Sequence, residues 1–164
     1  MSTDYKTITD RLKAILEANT TGALSRDLSK AVVAVKKGQY VPGSSDEKPV
    51  IYVRPEIPAH IAQMAGGQTQ KRRLTYIFTG AVKADTQEEA WDDVQCLYNN
   101  LENLLMHYGA DGSYWAGGRF GVNPGDDDDP ERYGNWDADP GTDLCIIHFW
   151  LRWSCEIMIG REAL

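Results

Sequence analysis

A chain of 164 residues can bury one true core and is short for two, so a single α+β domain over 1–164 is expected. Seventeen Lys and Arg against 24 Asp and Glu give a formal charge of -7, which argues against broad electrostatic attraction to nucleic acid or anionic lipid. Cys96, Cys145 and Cys155 are an odd number with no C-x-x-C or ligand spacing, which speaks against a disulfide framework or a zinc site and for a reducing compartment.

The start, MSTDYKTITDR, is charged throughout and lacks an apolar h-region, so neither export nor a membrane span is expected. Residues 3–18 read as an amphipathic helix, with Tyr5, Ile8, Leu12, Ile15 and Leu16 on one side and Lys6, Asp10, Lys13 and Glu17 on the other. Asn19 to Gly22 end it. The β-branched run from Ala31 to Lys37 favours a strand, although its Ala and Lys content leaves a helix open. Gly38 to Pro49 is a polar connection, and the short strand after it, VIYVRP, is expected to end or bend at Pro55. IPAHIAQMAGGQT reads as an irregular excursion with a helical turn, a candidate contact loop.

The clearest unit follows. Leu74, Tyr76 and Phe78 alternate with Thr75, Ile77 and Thr79 as in a largely buried strand, and Gly80 marks a bulge or bend. Thr86 with Glu89 three residues on has the form of a capping box, and Glu88, Glu89, Asp92 and Asp93 lie near the positive end of the helix dipole. Ala90, Trp91, Val94, Leu97, Tyr98, Leu101, Leu104, Leu105 and Tyr108 form one stripe, Asp92, Gln95, Asn99, Glu102 and Asn103 the opposite face, and Gly109 the stop. From residue 110 to 143 the chain is an acidic Gly/Asp/Pro-rich insertion without sustained period. Leu144 to Ile159 then reads as a strand of sixteen residues, which bends, hides a turn, or extends into a neighbour. Two helices on one face of a mainly antiparallel sheet of about four strands make a two-layer α+β fold.

Candidate chemistry is sparse. The acidic residues Asp126, Asp127, Asp128, Asp129, Asp137 and Asp139 invite a metal reading, but the calcium-loop pattern begun at Asn135 meets Pro140 where Gly is required and Ile146 where Glu is required. No catalytic residue, cofactor or metal ligand is assigned. A metal-dependent hydrolase using this loop is an alternative, as is a binding module that stays monomeric. His60, His107 and His148 sit in no nucleophile motif, and Gly66-Gly67 and Gly117-Gly118 form no phosphate loop. Lys71, Arg72 and Arg73 stand at the entrance of the strongest strand and are the candidate subunit-interface residues, matched against the acidic run of another copy.

The N-terminal amphipathic helix, the β-branched strand, VIYVRP, the strand LTYIFTGAVKA leading into EEAWDDVQCLYNNLENLL, and the long closing strand together resemble the tail-terminator and neck (head-tail joining) proteins of long-tailed bacteriophages. The likeness is one of layout and size, and residues 112–142 have no counterpart in it. It implies a structural virion protein, assembled in the host bacterial cytoplasm, that closes into a ring, usually of six, ends tail-tube polymerisation and offers a surface to the head. Implied partners are other copies of the chain, the tail tube protein and a head-neck connector or stopper protein, with DNA only as passing cargo. A different neck or tail ring component, such as a head-completion, adaptor or tail-tube protein, has the same layout. In such a ring the acidic loop would line the lumen and repel phosphate, or lie outside and dock a partner.

Overall fold

The computed structural model describes residues 5–63, 69–110, 122–124, 134–138 and 144–160. Its elements in chain order are α1 (Tyr5–Ala18), a 3-10 turn (Ala23–Ser25), β1 (Ala34–Lys37), β2 (Val50–Gln63), β3 (Thr69–Lys83), α2 (Gln87–Ala110), β4 (Val122–Pro124), β5 (Gly134–Ala138) and β6 (Ile146–Gly160). The sheet runs β1-β2-β3-β6, with β4 and β5 both paired to β6, and only the β1–β2 pair is parallel. This is the two-layer α+β arrangement expected. Ile8, Leu12 and Leu16 of α1 and Val94, Leu97 and Leu101 of α2 share one core with Ile51, Val53, Tyr76, Phe78, Phe149, Leu151 and Trp153, so both helices cover the same sheet face. Each large side chain there contributes roughly 1.5–3 kcal/mol before conformational entropy opposes it.

The helices form where their periods place them. In α1, Lys6 pairs with Asp10 at 2.7 Å and Lys13 with Glu17, both on the solvent side. In α2, Glu89 N–H donates to Thr86 Oγ1 at 3.2 Å, which supplies the N-cap, while Trp91 and Tyr98 pack at the margin of the core. The helix continues one residue beyond Gly109 to Ala110.

Several strand expectations need correction. Pro55 does not end β2, which continues to Gln63 with Pro55 opposite Tyr76. The reason is local. β1 covers β2 only from Val50 to Val53, so at Pro55 the side of β2 away from β3 has no partner strand among the described residues, and a missing N–H there costs no ladder bond. Residues 57–63, the first half of the expected irregular excursion, belong to the same strand, whereas 64–68 lie outside the described residues; a register shift between Glu56/Thr75 and His60/Arg73 leaves 57–59, including Pro58, outside the ladder.

Gly80 is neither bulge nor bend. It sits in regular register between Ile51 and Phe149, and a Cβ there would collide with Val50 O and lie 2.8 Å from Phe149 Cε1. Close packing of strand and ring requires the glycine.

The insertion is not wholly irregular either, since β4 and β5 lie within it. β6 is one strand, paired with β3 from Ile146 to Gly160 without a concealed turn, and Cys145 falls in the turn before it. Twelve residues, 38–49, return the chain from β1 to its parallel neighbour β2. This connection crosses the face opposite the helices, where Tyr40 N–H donates to Thr79 Oγ1 at 2.8 Å and Tyr40 packs on Val50 and Ala81.

Candidate assembly surface

The basic trio is not at a strand entrance. β3 begins at Thr69, so Lys71, Arg72 and Arg73 lie inside it, in a strand flanked on both sides. Lys71 stands opposite Ala62 and Met158, Arg72 opposite Ile61 and Ile157, Arg73 opposite His60 and Glu156. Their backbone groups are therefore used by the sheet, and the register sets Arg73 beside a carboxylate residue of the same chain.

Of the acidic candidates, Asp137 is in β5 opposite His148 with its side chain exposed, whereas Asp126, Asp127, Asp128, Asp129 and Asp139 lie outside the described residues. The described strands on either side of residues 125–133 have a definite register. Val122 to Pro124 pair with Ile157 to Cys155, and Gly134 to Ala138 pair with Leu151 to Ile147, in the same direction along the same edge of β6. Thus β4 and β5 lie in line along one edge, and the stretches of β6 they pair with are separated by only three residues, Arg152 to Ser154.

The sheet face opposite the helices carries two polar clusters that the sequence reading did not single out. One is a salt bridge spanning the β3 strand, in which Arg152 Nε donates to Glu56 Oε2 at 2.7 Å. Arg54 belongs to the same row as Arg152, with Ile77 between them. Its Nε is buried without a hydrogen-bond partner among the described residues, and Nη1 reaches Pro55 O only at 3.5 Å.

The other cluster fastens the 38–49 connection. The Tyr52 hydroxyl and Lys36 Nζ, the latter at 3.1 Å, both donate to Asp46, and Lys48 Nζ donates to Ser44 O and Asp46 O at 3.0 and 2.9 Å. The donors to the carboxylate, Tyr52 first and then Lys36, hold the Asp46 carboxyl at about 2, and the hydrogen bond from Tyr52 raises its own phenol. The period-2 alternation of β2 places Tyr52 on this face, but its partner six residues earlier has no sequence signature.

A cleft of about 700 Å³ beside this connection is lined by Lys30, Lys48 and Lys83 together with Asp46 and Glu47, a mixed-sign lining that selects no ligand charge. Among the described residues no three His, Cys, Asp or Glu side chains are grouped to hold a metal ion. No helix among them is long and apolar enough to cross a membrane. The Cys96 thiol, half-buried in α2, is pushed up by burial and then by Asp27, Asp93 and Asp92, which disfavours the nucleophilic thiolate.

No protein-family model matches this chain, and a search of curated proteins likewise finds no match. What the described residues offer is a framework of surfaces: one sheet face covered by helices, the other crossed by a fastened loop and ion pairs, and an edge of β6 paired with two short strands from the acidic insertion.

Proposed function

We propose that this chain is a structural virion protein, a tail terminator that forms a ring on the end of a phage tail tube, halts its polymerisation and presents a surface to the head. The observation that carries the reading is the order of elements: an amphipathic helix, the β1–β2–β3 run with its long hairpin, a second helix on the same face, and a long closing strand. A subunit built this way works through shape and matched surfaces. Its partners on this reading are further copies of itself, most simply six, the tail tube protein and a head-neck connector, and its place is the virion tail or neck.

The charge distribution supports a passage for DNA. Residues 110–143 hold nine of the 24 acidic residues and two of the 17 basic ones, so the entire net charge of -7 resides there and the rest of the chain is neutral. A wall of that sign lets phosphate pass without gripping it. The same layout also suits another neck or tail ring component, and the partner captured separates the two.

The test is the solution mass of the purified full chain together with negative-stain images. Rings with a central hole that stop tube protein from extending in a mixed polymerisation support a terminator. Rings that leave tube growth unaffected point to another ring component. A monomer at all concentrations that hydrolyses a substrate with a bound divalent cation overturns the assembly reading.

A further inference from the structure

The two edge strands of the sheet are related in a way that neither shows alone. Among the described residues β1 pairs only with β2 and β5 only with β6. Followed from partner to partner, Ala34, Val50, Ala81, His148 and Asp137 make one row across the sheet, and Lys36, Tyr52, Thr79, Trp150 and Asn135 another. Lys37 is likewise level with Gly134 through Val53, Phe78 and Leu151. So β1 and β5 occupy the same rows at opposite ends of one sheet. Their polarity is opposite as well, because β1 and β6 run the same way and β5 runs against β6.

A second copy placed beside the first by repeating the strand order therefore sets its β5 antiparallel to β1, without slip and with both helical layers on one side. Unpaired edge N–H and C=O groups are templates for such pairing, and the shared rows give it a register. Charge agrees. Lys36 and Lys37 are 47% and 45% exposed on β1, each already beside one carboxylate, and Asp137 is exposed on β5. In the joined sheet the neighbour's Asp137 stands opposite Ala34 and diagonal to Lys36 on the face away from the helices, a separation of about 7–8 Å between backbones that a lysine stem spans.

We infer that copies of this chain join head to tail through β1 of one and β5 of the next, continuing a single sheet across the joint. Such a contact is heterologous, so it repeats until it closes or runs on as a filament. The inference supplies the joint for the ring proposed above and rests on that reading only for closure.

Lys36→Cys combined with Asn135→Cys tests it in the full chain. Within one copy these positions are four strand spacings apart, about 19 Å, too far for a disulfide, whereas across the proposed joint they are directly opposed. Mild oxidation is expected to give a ladder of covalent multimers that reductant collapses, with each single variant remaining one chain long. In parallel, Asp137→Lys is expected to weaken self-association about 3–10-fold by sedimentation, and adding Lys36→Asp to restore it. Rings that form without linkage, and that ignore both charge changes, overturn this joint while leaving the ring reading standing. Linked open filaments uphold the joint and remove the closed ring. A chain that neither links nor associates removes both.

Discussion

At the scale of single residues, the Asp46 carboxylate fastens the longest described connection to β2, and its titration has a definite sign. Its folded pKa of about 2 is below the ordinary carboxyl value of 3.8, so the stabilisation is complete above the unfolded value and is lost as pH falls through the folded one. For Tyr52 the folded pKa is raised, so its share is complete below the phenol's ordinary value of 10.0 and is lost as pH climbs beyond it. Tyr52→Phe is expected to move the Asp46 pKa upward toward 3.8, observable as a shift in the carboxyl carbon titration by NMR; an unmoved midpoint would show that Lys36 and Ser44 set it without the phenol. Gly80 makes the opposite kind of demand, on space. Gly80→Ala drives a methyl group into Val50 O and the Phe149 ring, and is expected to cost about 3 kcal/mol or more in urea unfolding, since backbone as well as side chain must move. A loss below about 1 kcal/mol would mean that the two strands separate easily at this row.

At the scale of elements, α2 grips the chain between α1 and β1 through two side chains seven residues apart, which two helical turns bring to one face. Asp93 accepts from Ser29 N–H at 3.1 Å and from the Ser29 hydroxyl, and is 3% exposed. Asn100 Nδ2 donates to Leu24 O at 3.0 Å and Arg26 O at 2.8 Å. Asp93→Ala removes both charge-assisted hydrogen bonds to Ser29 and is expected to cost about 1–3 kcal/mol, Asn100→Ala about 1 kcal/mol. Both can be measured by denaturant midpoint. Since both side chains hold one segment, the double variant should lose less than the sum of the two. Strict additivity would show that the 3-10 turn and Ser29 are held separately.

This clamp also marks the limit of what the sequence discloses. Ile8, Leu12 and Leu16, and Val94, Leu97 and Leu101, are legible because burial follows helical period, and Tyr76 and Phe78 because it follows strand period. Asp93 counted as one more acid near a helix start, because nothing in the chain announces a partner 64 residues away. Pro55 misled for a related reason: whether proline stops a strand depends on which neighbour lies on its N–H side, a tertiary fact. β4 and β5 were illegible because strands of three and five residues on an edge need no hydrophobic alternation of their own. Lys71, Arg72 and Arg73 read as an entrance because Thr69 and Gln70 have little strand signal; β2 and β6 extend the ladder past them.

At the scale of the whole molecule, structure and charge separate cleanly. β1, β2, β3, β6 and α1 and nearly all of α2 come from a neutral part of the chain, and the net charge belongs to an insertion whose only described strands, β4 and β5, pair with β6. If the acidic run serves assembly or passage of DNA and not folding, it is removable. β4 and β5 pair with stretches of β6 that are three residues apart, so three residues of strand-forming sequence in place of 125–133 would let them continue as one edge strand. That change removes Asp126 to Asp129, Glu131 and Arg132 and takes the formal charge from -7 to -3. Shortening a loop threefold lowers its closure cost by about 1 kcal/mol, so the shortened chain is expected to unfold at slightly higher denaturant with its far-UV spectrum unchanged. Its assemblies, mixed with double-stranded DNA at low salt, are expected to retain DNA that those of the full chain release, with the difference fading as salt screens the charge. A loss of more than about 2 kcal/mol on shortening would instead make the excursion part of the folded core's support, and equal DNA release by both forms would place the acidic run outside the path of DNA.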